Sequence, residues 1–210
     1  MNELAVLIEG NVLRGEEKGA DVAAPSVVFI KSENKKILVD TGLFVAKYRF
    51  VLIERLQEMG CTANDIDTII YTHLHEDHCQ NTSLFPNAEI FVGAQETEWM
   101  KAELPKPVHS FFLPLGQPVH QVTADTEIDD GVEIILTAGH TAGHISVLVE
   151  NTKDGKVCVA GDAIGWKSYW DTNTVPPVVW NAECFLQSMS LIREKNVNII
   201  VPGHEAPFVV

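Results

Sequence analysis

The stretch YTHLHEDHCQ, residues 71–80, constrains this chain more than any other. His73, His75, Glu76, Asp77 and His78 fall within six residues, directly after the apolar run DTIIY. A run of that kind reads as a short buried strand. In an extended segment, positions i and i+2 point the same way, so His73 and His75 can face one point. Asp77 and His78 follow in a turn or the opening of a helix, where they can aim at a second point nearby. Burying four such groups together without a cation is costly, so the cluster reads as a metal site and not as a solvated loop. Two adjacent ligand sets suggest paired ions, which in such sites lie about 3.5–4 Å apart. Imidazole and carboxylate ligands suit zinc, iron, manganese or cobalt.

Further ligands must come from elsewhere in the chain. AGHTAGH offers His140 and His144, VAGD puts Asp162 after an apolar strand, and IVPGH puts His204 after the last one. Each follows Gly or Pro, where the backbone can bend a side chain toward a shared centre. The residues alone leave the choice between His140 and His144 open. His109 and His120 lie in a Pro-rich segment without such a setting and read as surface histidines.

Strand-like segments dominate both halves: VLIEGNVL, SVVFIKS, ILVD, DTIIYT and AEIFV, then VEIILTAG, HISVLVE, KVCVAGD and VNIIVPGH. A KDGK turn joins HISVLVE to KVCVAGD as a hairpin. Apolar residues at three- and four-residue intervals mark a helix over FVAKYRFVLIERLQEMG, with Gly60 at its C-cap. AQETEWMKAE reads as a second helix, and NAECFLQSMSLIREK as a third with Asn181 as N-cap. The pattern predicts one α/β domain over residues 1–210, with two mainly β layers packed together and helices outside.

In order, ILVDTG, DIDTIIYTHLHEDH, SLFPNAEIFV, TAGHTAGH, VAGD and VPGHEAPF resemble the metallo-β-lactamase fold superfamily. The resemblance covers most of the chain and implies a four-layered αβ/βα sandwich with the metals at one edge between the sheets. It implies two divalent ions, zinc by expectation, with iron or manganese as alternatives. One ion would take His73, His75 and His144, the other Asp77, His78 and His204, and Asp162 would bridge them, leaving His140 outside. Asp40 of VDTG would support the site from behind by orienting a ligand imidazole. The implied reaction is attack by a hydroxide of the dinuclear centre, with Asp77 as the catalytic residue that orients it.

The bridging Asp162 resembles glyoxalase II, the acyl-homoserine lactonases, the phosphodiesterase-like and RNase Z-like members and the persulfide dioxygenases, and not the zinc β-lactamases. Six residues follow His204, so the glutathione-holding extension of glyoxalase II is not expected. Gly165 stands where lactonases carry a catalytic tyrosine, AIGWKSYWD lacks the arginines of persulfide dioxygenases, and no basic arm of the RNase Z kind is present. Asn81 replaces a customary glycine and is expected to adopt the left-handed backbone that glycine would. The small stand-alone hydrolases, including the group called metallo-β-lactamase domain-containing protein 1, are the most similar in length and motifs.

The expected function is a metal-dependent hydrolase of an ester, thioester or lactone of a small molecule. The alternatives are a phosphodiesterase or nuclease on the same metals, or a mononuclear-iron persulfide dioxygenase. Charge bears on that choice: 29 acidic residues against 15 Lys and Arg give −14, which disfavours nucleic acid and anionic membranes. No run is long enough to span a membrane, the start lacks a basic signal-like region, and four scattered cysteines suit reduced thiols in the cytoplasm. Between residues 166 and 180 stand Trp166, Lys167, Tyr169, Trp170 and Trp180. They are expected to line the substrate pocket, with capping of the core as the other role open to them.

Overall fold

The computed structural model describes residues 1–13, 22–113 and 116–210. Its first half runs β1 (Glu3–Ile8), β2 (Asn11–Leu13), β3 (Val22–Ala24), β4 (Val27–Lys31), β5 (Lys36–Val39), α1 (Ala46–Glu58), β6 (Thr68–Tyr71), α2 (Glu76–Cys79), β7 (Glu89–Gly93), α3 (Ala94–Glu103), α4 (His109–Phe112) and β8 (Val119–Val122). The second half runs β9 (Thr126–Asp129), β10 (Val132–Leu136), β11 (Ile145–Thr152), β12 (Gly155–Gly161), α5 (Lys167–Thr172), α6 (Ala182–Glu194), β13 (Ile199–Pro202) and β14 (Phe208–Val209).

Two six-stranded sheets result, ordered β1-β4-β5-β6-β7-β8 and β14-β13-β12-β11-β10-β9, with β2 and β3 forming a small separate ribbon. The first is parallel from β5 to β8. The second is antiparallel except where β12 meets β13. Three cores separate the layers. One packs Leu52, Leu56 and Met100 of the helices on the first sheet. The middle one joins Val28, Ile30, Val39 and Ile70 to Ile134, Val147 and Val159 of the second sheet. The third packs Phe185, Met189 and Ile192 of α6 on Leu148, Cys158 and Ile200. Three cores between four layers make the αβ/βα sandwich that the sequence predicts.

This layering explains the continuous apolar runs. In β11, Ile145, Val147 and Val149 face the middle core while Leu148 faces α6, so both faces are buried and strict alternation is lost. α6 begins where expected: the Asn181 side chain accepts the Cys184 N–H at 3.0 Å. Gly60 stands just past α1 at φ +69°, the left-handed end that glycine favours.

Two expectations are corrected. VLIEGNVL is not one strand: β1 ends at Ile8 and β2 starts at Asn11, with Gly10 between them donating to Ser26 Oγ at 3.1 Å. Asn81 is not left-handed, its φ being −109°. It stands in glycine's place for its side chain, whose Nδ2 lies 2.9, 3.2 and 2.8 Å from the carbonyls of Thr41, Gly42 and Leu43 and ties that turn to the segment after α2.

The sheets are joined along one edge. Ile145 N–H, opening β11, donates to Thr72 O just past β6 at 2.9 Å. Ser26 donates from its N–H to Gly203 O at 2.7 Å and from its hydroxyl to Pro202 O at 2.7 Å. The C-terminal ends of β6, β12 and β13 therefore meet at a common seam. No helix among the described residues is long and apolar enough to cross a membrane. Ile134 is fully buried between the sheets, so Ile134→Ala should cost about 2–5 kcal/mol, read as a lower urea midpoint at unchanged slope.

Candidate metal centre

His73 and His75 leave β6 in extended chain, and α2 follows with His75 as its N-terminal flank. Their ring nitrogens converge: His73 Nε2 lies 3.0 Å from His75 Nδ1, and His140 Nε2 lies 3.0 Å from the same atom. A second group faces them. Asp77 Oδ2 lies 3.5 Å from His78 Nε2 and 3.6 Å from His204 Nε2. Asp162, at the end of β12, stands between the two groups. Its Oδ1 is 3.6 Å from His78 Nε2 and 3.2 Å from His204 Nε2, while its Oδ2 is 3.3 Å from His140 Nε2. Both the His73, His75, His140 set and the Asp77, His78, His204 set have ligand atoms close enough to hold an ion.

Hydrogen bonds behind the rings fix which nitrogen faces inward. Asp40 accepts from His78 Nδ1–H at 2.7 Å, from Thr72 N–H at 2.8 Å and from the Thr72 hydroxyl at 2.8 Å. The Thr72 proton is thereby committed, so its oxygen accepts from His73 Nδ1–H, 3.0 Å away. His204 Nδ1–H points at Ala24 O, 3.2 Å away. In all three rings it is Nε2 that is left facing the cluster, the nitrogen a metal would take. Asp40 itself has φ +60°, a backbone strain of order 1–3 kcal/mol that recurs at functional sites. Gly203 makes room for the shared carboxylate: a Cβ there would come within 1.9 Å of Asp162 Oδ1.

His144 stands in a different setting from the other expected ligands. It is buried beside the cluster, its ring 5.1 Å from that of His73, and both its nitrogens have hydrogen-bond partners. Its Nε2 accepts the Asp162 N–H at 3.1 Å. Its Nδ1 donates to Thr137 Oγ1 at 2.9 Å, which donates to Ser146 Oγ at 2.8 Å, which donates to Ala160 O at 3.0 Å. His140 also faces the cluster, on a loop pinned by Trp180 N–H to His140 O and Asn181 N–H to Gly139 O.

Among the buried side-chain atoms without a hydrogen-bond partner are His78 Nε2 and Asp162 Oδ1. They face one another across the second group, where a cation would satisfy both. The charges respond in the same sense. Burial opposes protonation of His78, yet Asp40, Asp162 and Asp77 hold its pKa up to about 10. Burial also opposes ionisation of Asp162, but His204, His78 and His140 keep its carboxyl well below the usual range. Burial pushes His140 down to about 4. The side of the cluster holding His78 and Asp162 thus favours positive charge while His140 stays a neutral donor, and imidazole and carboxylate donors of this kind suit a divalent ion.

The aromatic segment divides. Trp166 and Tyr169 line a cavity of about 240 Å³ together with His140, Asp162, Pro176, Pro177 and Val178. The Trp166 ring stacks on His204 at 5.1 Å. Trp170 is instead part of the third core, with the Arg193 guanidinium 3.6 Å over its ring. Trp180 is 58 % exposed and does not line the cavity. Lys167 pairs with Asp171. A larger groove of about 770 Å³ opens on the α2 side between Phe44, Glu76, Gln80, Leu104, Val108 and Phe112. His109 and His120 lie outside the cluster, the first bonded to Leu104 O and the second paired with Glu89.

The chain is similar to proteins of one family. The family model described as the metallo-beta-lactamase superfamily matches residues 20–204. Metallo-beta-lactamase domain-containing protein 1 of Mus musculus is 34 % identical over 180 residues, covering 82 % of this chain and 60 % of the mouse protein. The Xenopus laevis protein of the same name is 32 % identical over 212 residues, covering 97 % and 79 %. An N-acyl homoserine lactonase of a Bacillus species is 30 % identical over 163 residues, covering 73 % and 62 %. Among solved structures, a B. thuringiensis variant with N-decanoyl-L-homoserine bound at its active site superposes with a TM-score of 0.76 at 23 % identity, covering 97 % of this chain and 92 % of that one.

Because Asp40 holds the His78 ring, Asp40→Asn should weaken metal binding about 10- to 100-fold. Chelator competition reads this directly, and an unchanged affinity would refute the role.

Proposed function

The chain belongs to the metallo-β-lactamase superfamily, and from that premise we propose that it is a dinuclear metal-dependent hydrolase of an ester, thioester or lactone of a small molecule. One observation carries the reading: Asp162 presents one oxygen to each of two ligand groups, and the cavity lined by Trp166 and Tyr169 opens onto that carboxylate. The ligand set we propose is His73, His75 and His140 on one side and Asp77, His78 and His204 on the other, with Asp162 shared. Zinc is the expected ion, since imidazole and carboxylate in such a set suit it.

Ions held there would lower the pKa of a water toward neutrality and polarise a substrate oxygen. The chain's own residues supply the rest. Asp77, 24 % exposed at its side chain where His78 is fully buried, can accept a proton from an incoming water and orient it. Asp40, Thr72 and Ala24 keep three imidazoles in one tautomer. Trp166 and Tyr169 with Pro176 and Pro177 give an apolar wall that excludes water from one side of the reacting group. Among the described residues, neither the small cavity nor the groove is lined by Lys or Arg, which supports a carboxyl ester over a phosphodiester. Four free thiols support a reducing cytoplasmic setting.

Purified protein should hydrolyse members of a panel of esters, thioesters and lactones, lose that activity on chelation and regain it with zinc. Faster turnover of bis(p-nitrophenyl) phosphate, or oxygen uptake with iron on a persulfide, would overturn the reading. His140→Ala should lower bound metal from two ions toward one, while His144→Ala should keep more metal than His140→Ala does. Elemental analysis of the two variants decides between the histidines, and the opposite order would reinstate His144.

A further inference from the structure

A buried carboxylate outside the ligand set connects the two segments that carry His73, His75 and His140. Glu96, in the first turn of α3, is 2 % exposed. Its Oε2 accepts the Leu74 N–H at 3.0 Å and its Oε1 accepts the Gly143 N–H at 2.9 Å. Leu74 is the residue between His73 and His75. Gly143 lies three residues after His140 on the loop leading into β11. The two amides belong to segments that leave different sheets, and Glu96 is bonded to both.

The approach is tight. A Cβ on Gly93, which flanks the start of α3, would lie 1.8 Å from Gly143 O, and a Cβ on Gly143 would lie 2.6 Å from Glu96 N. Only glycines let the first turn of α3 seat against the His140 loop this closely. A side chain with two acceptor oxygens is required between two N–H donors. Glutamine would present an amide N–H to one of them, leaving a buried donor facing a donor. Nothing about packing alone demands a carboxylate there, since burying one is costly unless both oxygens are satisfied.

We propose that Glu96 is a positioning residue that fixes the distance between the His73–His75 pair and His140, and so sets the affinity of the metal position those three would form. This rests on the ligand set proposed above. The second group, Asp77, His78 and His204, is held by Asp40 and Ala24 and does not touch Glu96. The clamp therefore acts on one metal position and not on both.

Cobalt(II) alone is the probe, titrated into metal-free protein and followed by its visible absorption, with circular dichroism to check folding. Wild type should take up two equivalents. Glu96→Gln should weaken by about 10- to 100-fold the same binding step that His140→Ala removes, and leave the other step unchanged. Thr97→Ala is the control for α3: its buried hydroxyl bonds Ala94 O and Gln121, so the variant should lose thermal stability without changing either step. Two cobalt steps of wild-type strength in Glu96→Gln, or equal weakening of both, would overturn the clamp. If Glu96→Gln does not fold, amide exchange in metal-free wild type decides: the Leu74 and Gly143 N–H groups should be protected, and free exchange overturns the proposal. Wild type that takes up no cobalt would instead overturn the metal reading itself.

Discussion

Asp162 reaches both ligand groups with one carboxylate, and the rest of the molecule is arranged so that it can. The residue directly follows β12, whose neighbour β13 leads to His204, while the facing sheet leads to His73, His75 and His78 from the end of β6. A buried anion in that position is tolerable only where several imidazoles surround it. Its backbone N–H is taken by His144, and the space for its Oδ1 exists because residue 203 has no side chain. Ligand geometry, strand ends and backbone hydrogen bonding thus converge on a single atom pair.

The seam between the sheets is therefore more than a packing boundary. Strand-to-strand bonds hold each sheet, but the link between Thr72 and Ile145 and the links from Ser26 to Pro202 and Gly203 set the sheets relative to one another at the edge where the proposed ligands stand. The middle core is apolar and could tolerate small slips in register between the layers. Directed bonds at the seam remove that freedom where ångström-level placement matters. Asp40 adds a further constraint by joining Thr72, next to the first ligand, to His78.

Much of this was legible in the sequence, for identifiable reasons. The strands were visible because four layers bury both faces of the central strands and leave continuous apolar runs. α1 and α6 announced themselves through spacing and through Gly60 and Asn181. The cluster at residues 73–78 was legible because its spacing is local. The choice between His140 and His144 was not, since both precede the same strand and both rings stand at the cluster. Asn81 was misread because a residue standing where glycine is customary suggests backbone freedom, whereas its side-chain amide does the holding. The aromatic segment split because α5 is short: Trp166 precedes it and faces the cavity, Trp170 lies on its inner side, and Trp180 falls beyond it. Glu96 gave no local signal, because both of its partners are main-chain amides.

The stacking of Trp166 on His204 carries a consequence for how such a site can diversify. One ring serves as a wall of the cavity and as a support for a proposed ligand, so replacing it to admit a new substrate also disturbs the imidazole behind it. The opposite wall, Pro176 to Val178, carries no proposed ligand. Changes of substrate range should accumulate on that proline-rich side, leaving the tryptophan face as the slow-changing half of the pocket.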